Sequence, residues 1–197
     1  DNRFDLMVRS HIVGPKGIRL QMQMKTLDGG VDQLANDAIE SAWKEWCLPE
    51  NCDVTGEESL TSIQQTFIST VRRDGEAIVR YYEGNRGGPF GIALQLLDPE
   101  LLDVQLHEDL RNGHRVRFGV ELDTRDRPIA YHFLDETATT SMFGYGYFTR
   151  ASGHHIRIPR EQIVHGFIRK HVGQKRGIPW SATALHRMKM LEGYEEA

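Results

Sequence analysis

The sequence predicts an α+β fold, with N-terminal amphipathic helices packed on a mainly antiparallel sheet and a helix at the end. Two observations predict it. Between residues 31 and 71 apolar side chains recur at helical spacing, and from Glu76 onward they alternate with period two between turn-forming clusters. Runs of helices followed by runs of strands indicate helices segregated to one side of an antiparallel sheet. The helical part is expected over 1–74, the β-rich part over 75–178, and the start of a further helix over 179–197. Gly75 is too short a linker to separate domains, so the chain is expected to form a single domain.

Taken in order, Phe4–Val13 has a helical pattern that Gly14-Pro15 stops. Ile18, Leu20, Met22 and Met24 alternate and predict a strand, followed by a turn at Asp28-Gly29-Gly30. Val31–Trp46 is the clearest helix, with Val31, Leu34, Ala35, Ala38, Ile39, Ala42, Trp43 and Trp46 on one stripe. Asp32 and Asp37 favour its N-terminal end, and Trp43 and Trp46 read as core anchors. Leu60–Val71 is a second amphipathic helix, followed by Arg72, Arg73 and Asp74-Gly75.

The period then changes. Glu76–Tyr82 and Ile92–Leu97 are strands around a turn at 85–89, which suggests a hairpin. Val116–Leu122 reads as one strand, with Val116, Phe118, Val120 and Leu122 facing one way and Arg117, Gly119 and Glu121 the other. Ile129–Phe133 is its expected antiparallel partner. Met142–Gly153 is a glycine- and aromatic-rich loop, whose Phe143–Phe148 stretch could anchor a partner. His155–Ile158 and Ile163–Phe167 are short strands, and a helix begins near Pro179. The chain reads as a piece trimmed at both ends, because Asp1–Ser10 resembles the interior of something longer and Ala182–Ala197 a helix cut in mid-course.

Composition narrows the function. The chain has 197 residues, 39% hydrophobic and 26% charged, within the ordinary globular range. No apolar run approaches the roughly 18–20 residues of a membrane helix, so no membrane partner is expected. Cys47 and Cys52 are too few for a disulfide framework and loosely spaced for zinc, so both are expected as reduced thiols. Net charge is −4 and argues against a strong nucleic-acid binder. Its distribution is uneven. Asp28–Ser62 holds nine acids against one lysine, a local −8, and Arg150–Ala197 holds nine Lys/Arg against four Glu, a local +5. Such asymmetry suits a head-to-tail contact, a nucleic-acid face or merely solvated surfaces.

A search for chemistry finds little. His154 and His155 are neighbours and would point to opposite faces of a strand, and His165 could join one of them across the sheet. No metal-ligand spacing accompanies them, and no metal or cofactor is expected. Glu121, Asp123 and Asp126 form an acidic cluster that could hold a cation for a metal-dependent hydrolase or nuclease, or simply decorate a hairpin tip with Arg125 and Arg127. Neither a serine-hydrolase elbow nor a phosphate-cradling loop is present. The best contact candidate is the basic loop 169–177, where Arg169, Lys170, Lys175 and Arg176 could meet DNA phosphates or a neighbouring subunit.

Several segments in a fixed order carry a resemblance. They are Trp43–Trp46 with Cys52-Asp53-Val54-Thr55-Gly56, then Arg73-Asp74-Gly75-Glu76-Ala77-Ile78-Val79-Arg80, then Leu94–Glu100. Phe118–Asp123 with Arg127–His132, Ile158–His165 and Gly173–Trp180 follow. Together they resemble the lambda-like family of tailed-bacteriophage portal proteins. The resemblance implies a structural, non-enzymatic ring subunit, typically one of twelve, at one vertex of the capsid. It implies a virion location after assembly in the host bacterial cytoplasm. The implied partners are other copies of the chain, the terminase, head-completion and capsid proteins, and double-stranded DNA in the channel. Family subunits have a wing, a stem, a clip and often a crown, and this chain resembles the wing.

Overall fold

The computed structural model describes residues 2–135, 155–182, 184, 187, 189 and 190. The aromatic stretch Phe143–Phe148, His154 and the end of the final helix lie outside the described residues. Two compact units are present, the first made of Asp1–Arg73 and Val79–Leu96, the second of Asp74–Ile78 and Leu97–Ala197.

Helices form the bulk of the first unit: α1 (Asn2–Ile12), α2 (Gln33–Trp46), the single turn α3 (Pro49–Cys52) and α4 (Leu60–Asp74). Asp32 caps α2, accepting from the Ala35 N–H at 3.0 Å, which satisfies one of the donors a helix start leaves open. Asp5 on α1 accepts from Arg9 at 2.9 Å and from Arg72 on α4 at 3.2 Å, tying the two helices together. The core gathers Trp46, Cys52, Leu60 and Ile63, with Trp43, Cys47 and Leu94 packed against them. The Trp46 indole N–H donates to the Ile92 carbonyl at 2.8 Å, so its polar atom is matched where its ring is buried. Both cysteines are free thiols, and burial with help from Cys47 and Asp53 pushes the Cys52 thiol up to about 11.

One expected strand is absent. Residues 18–24 take no regular secondary structure and join no ladder. Their backbone is satisfied by helix side chains instead: the N–H of Ile18 by Gln64 at 3.1 Å, of Met22 by Glu40 at 3.1 Å and of Met24 by Asn36 at 2.8 Å. Asn36, buried on α2, takes the place of a neighbouring strand for Met24. The predicted stripe of α2 is only partly covered: Val31, Leu34, Ala38 and Ala42 are exposed, and of its members Trp46 alone is buried.

Strands β1 (Glu76–Glu83) and β2 (Ile92–Leu97) are sheet neighbours, as predicted, joined through two 3-10 turns at 84–86 and 88–90. In the first unit the Tyr82 hydroxyl donates to Gln95 at 2.7 Å across this pair.

A five-stranded antiparallel sheet dominates the second unit: β3 (His107–Asp109), β4 (Arg115–Arg117), β5 (Val120–Leu122), β6 (Pro128–Leu134) and β7 (His155–Pro159), in that order. Strand β8 (Ile163–Phe167) neighbours β1. Ile78, Leu102, Val120, Leu122, Tyr131, Phe133, Ile158 and Ile163 form the core. The single strand expected over 116–122 is two strands. Arg117 pairs with Val120, so Phe118-Gly119 is a two-residue hairpin turn with φ of 55° and 77°. Left-handed conformation at both positions is what a tight hairpin of this twist demands. Phe118 is therefore exposed, whereas Val116, Val120 and Leu122 stay inside. The described residues from Ala182 onward are helical, as the sequence predicts.

Candidate functional site

Charge is buried in the second unit at three carboxylates, Glu76, Asp103 and Glu121. A carboxylate removed from water is tolerated only when a cation or several donors face it, and each of these has them.

Glu76 opens β1 with its side chain on the same face as the core residue Ile78. It accepts from His165 on β8 at 2.9 Å, from the Arg176 guanidinium at 2.6 Å and from the Gly177 N–H at 2.7 Å. Burial works to raise its pKa, but the His165 and Arg176 hydrogen bonds and the Arg176 charge outweigh it and hold the carboxyl below its ordinary value. The Arg176 guanidinium donates further to the carbonyls of Leu102 at 2.9 Å, Phe118 at 2.8 Å and Pro99 at 3.2 Å. One guanidinium thus fastens the start of β1, the 99–102 turn and the Phe118 hairpin. The fit depends on glycine. A Cβ on Gly177 would lie 2.1 Å from the Gly75 carbonyl oxygen, and one on Gly75 would lie 2.3 Å from the Ile178 carbonyl carbon.

Glu121 on β5 is gripped by the Arg157 guanidinium at 2.6 and 3.3 Å and by His132 at 3.1 Å, with His114 at 3.5 Å. Burial again opposes ionisation, and the Arg157 and His132 bonds prevail, so its pKa is lowered. The sequence placed Glu121 on the outward face. It is buried there because His132 on the adjacent β6 and Arg157 on β7, one strand further, close over it. Asp103 accepts from His155 at 3.1 Å.

The acidic cluster does not converge. Asp123 accepts from the N–H groups of Arg125 at 2.8 Å and Arg127 at 2.9 Å, and from the Arg127 side chain at 2.8 Å. The Arg127 backbone bond leads the influences that hold its carboxyl at about 2. Asp126 pairs with Arg115. With Glu121 turned to Arg157, the three acids serve three separate partners. His155 and His165 likewise go to different carboxylates. Among the described residues no three His, Cys, Asp or Glu side chains gather as metal ligands.

The four basic-loop residues divide. Arg169 is exposed, 5.8 Å over the Phe167 ring, and Lys170 is exposed. Gln174 pins the loop by accepting from the N–H groups of Lys170 at 2.8 Å and His171 at 3.2 Å. Lys175 is half-buried and donates to the Asp126 carbonyl at 2.7 Å. Arg176 faces inward, as described above. Glu76 was not singled out by sequence reasoning. The signal available was an acid on the core face of an alternating strand, directly after a glycine.

The buried carboxylates of the second unit are thus each committed to an internal arginine or histidine. Residues 3–197 match the family described as phage portal protein, lambda family. Over 195 residues the chain is 34% identical to a protein of Halomonas phage phiHAP-1 described as a probable portal protein. That alignment covers 99% of this chain and 36% of the relative, so the chain spans little more than a third of that protein's length. The chain belongs to the lambda family of phage portal proteins.

Proposed function

We propose that this chain is a wing-like part of a portal subunit, built into a closed ring at one vertex of the capsid. In this reading the ring forms the channel through which a terminase drives double-stranded DNA. It also offers the surface on which head-completion proteins and the tail dock. The observation that carries the reading is the family match across nearly the whole chain. The buried ion pairs of the second unit support it, since they give a rigid body and leave no converging set of reactive groups among the described residues. Arg169 and Lys170, the outward pair of the basic loop, are the positions assigned to DNA or to a neighbouring subunit, with Lys175 at the loop's base. A ring needs two different surfaces on each subunit that meet head to tail, and an exposed basic loop suits one of them.

The test is charge reversal at Arg169 and Lys170 in the full-length protein, read by native mass and by packaging efficiency over a range of salt. Loss of assembly, or of packaging, that is deepest at low salt and is relieved as salt rises supports the contact. Assembly and packaging both unchanged at every salt concentration remove the loop from the account.

A further inference from the structure

The first unit leaves open a cleft that its own residues do not fill. Residues 16–21 and α2 line an open cavity of about 740 Å3, with Lys16, Arg19, Lys44, Glu40, Trp43 and Thr61 among the lining residues. Next to it lies a wholly apolar cup of about 330 Å3, lined by Leu20, Ile39, Ala42, Trp43, Trp46, Phe90 and Ile92. Leu20 and Trp43 belong to both, so one continuous surface changes from apolar to cationic across them.

The charges in the larger cavity are unbalanced. Lys16, Arg19 and Lys44 are exposed, and none of them makes a salt bridge among the described residues. The single acid, Glu40, already accepts from the Met22 N–H. The cup is open as well, with Phe90 and Ile92 each more than a third exposed and Ala42 exposed beside Trp43 and Trp46 on the helix. Apolar surface of this kind beside uncompensated cations matches a ligand with the reverse pattern.

We infer that this cleft binds an acidic peptide segment that carries bulky apolar side chains, contributed by a partner protein. The apolar side chains enter the cup against Trp43, and the carboxylates meet Lys16, Arg19 and Lys44. A peptide is favoured over single-stranded nucleic acid by the make-up of the cup. Trp46 is buried with its N–H committed to Ile92, and Leu20, Ile39, Ala42 and Ile92 put aliphatic surface beside Trp43 and Phe90, which suits apolar side chains better than a run of stacked bases. The inference does not depend on ring formation.

The probe is a short synthetic peptide interleaving Glu with Leu and Phe, titrated into the full chain while tryptophan emission is followed. The expected result is saturable binding with a shift in emission that the W43F variant loses. Replacing Lys16, Arg19 and Lys44 together by Gln weakens binding about tenfold. A42E, which places a carboxylate in the cup at an exposed position, abolishes it. The inference is overturned by any of three results: no binding of the acidic peptide, equal binding of a peptide with Lys in place of Glu, or tighter binding of an oligothymidylate that displaces the peptide. Because the readout is peptide affinity, its failure leaves the ring reading untouched, and failure of the ring reading leaves this test intact.

Discussion

The two units handle charge in opposite ways. The second buries Glu76, Asp103 and Glu121 and closes each with histidine or arginine. The first keeps most of its charge at the surface, lets Asn36 and Trp46 match backbone groups, and leaves apolar side chains open in a cleft. The lesson is a division of labour. Where charge is turned inward it acts as a strut that fixes which strands and turns meet, since an unpaired partner would be left stranded in a poor solvent. Where charge stays outward, beside open apolar surface, it is available to something else.

Breaking the strut gives the largest expected effect. Glu76→Ala leaves Arg176 and His165 without their carboxylate and is expected to cost about 3–5 kcal/mol. Hydrogen exchange resolved by segment should show protection lost in β8, at the start of β1 and in the 99–102 turn. Gly177→Ala comes next, at about 1–3 kcal/mol, because the added methyl collides with backbone rather than with a yielding side chain. In the first unit, Asp32→Ala removes the α2 cap and should cost about 1 kcal/mol in denaturant unfolding, with fraying confined to the start of that helix. Smallest is Asp109→Asn, which breaks an exposed pair with Arg117 and should change stability by at most about 1 kcal/mol. Equal costs for Glu76→Ala and Asp109→Asn would dissolve the contrast between struts and surface charge.

Acid sharpens the same comparison. Glu76 and Glu121 have folded pKa values below their ordinary 4.5. Their contribution is complete above that value and is lost as pH falls through the lowered folded values. Asp5 in the first unit follows the same direction, with burial opposed by Ser69, Arg9 and Arg72. The Glu76→Gln variant should therefore be less stable at neutral pH yet show a shallower acid slope in the second unit. An unchanged slope there would mean that Glu76 is not a strut.

Much of this fold was legible in the sequence. The bounds of β2 and β8 were read directly, and α2, α4, β1 and β7 to within a few residues, because each has a clean period and a turn or cap at its end. Two segments misled for one reason. Alternation at 18–24 and 116–122 does not say what the backbone bonds to. In the first case the partners are the side chains of Asn36, Glu40 and Gln64, and in the second a Phe-Gly turn hides inside an unbroken pattern. The buried acids were invisible for a different reason. Glu76 finds Arg176 across a hundred residues, and Glu121 finds Arg157 two strands away, so no local window contains both members of either pair. Of the basic loop, the sequence identified the cluster but not its division, since only the fold turns Arg176 inward and leaves Arg169 and Lys170 outside.

The claim that this chain is a structural part of a portal is tested most directly by the native mass of the full-length protein that carries it. The account predicts a closed ring of many identical copies, with residues 3–197 present in every subunit. A protein that stays monomeric across protein and salt concentrations would contradict it.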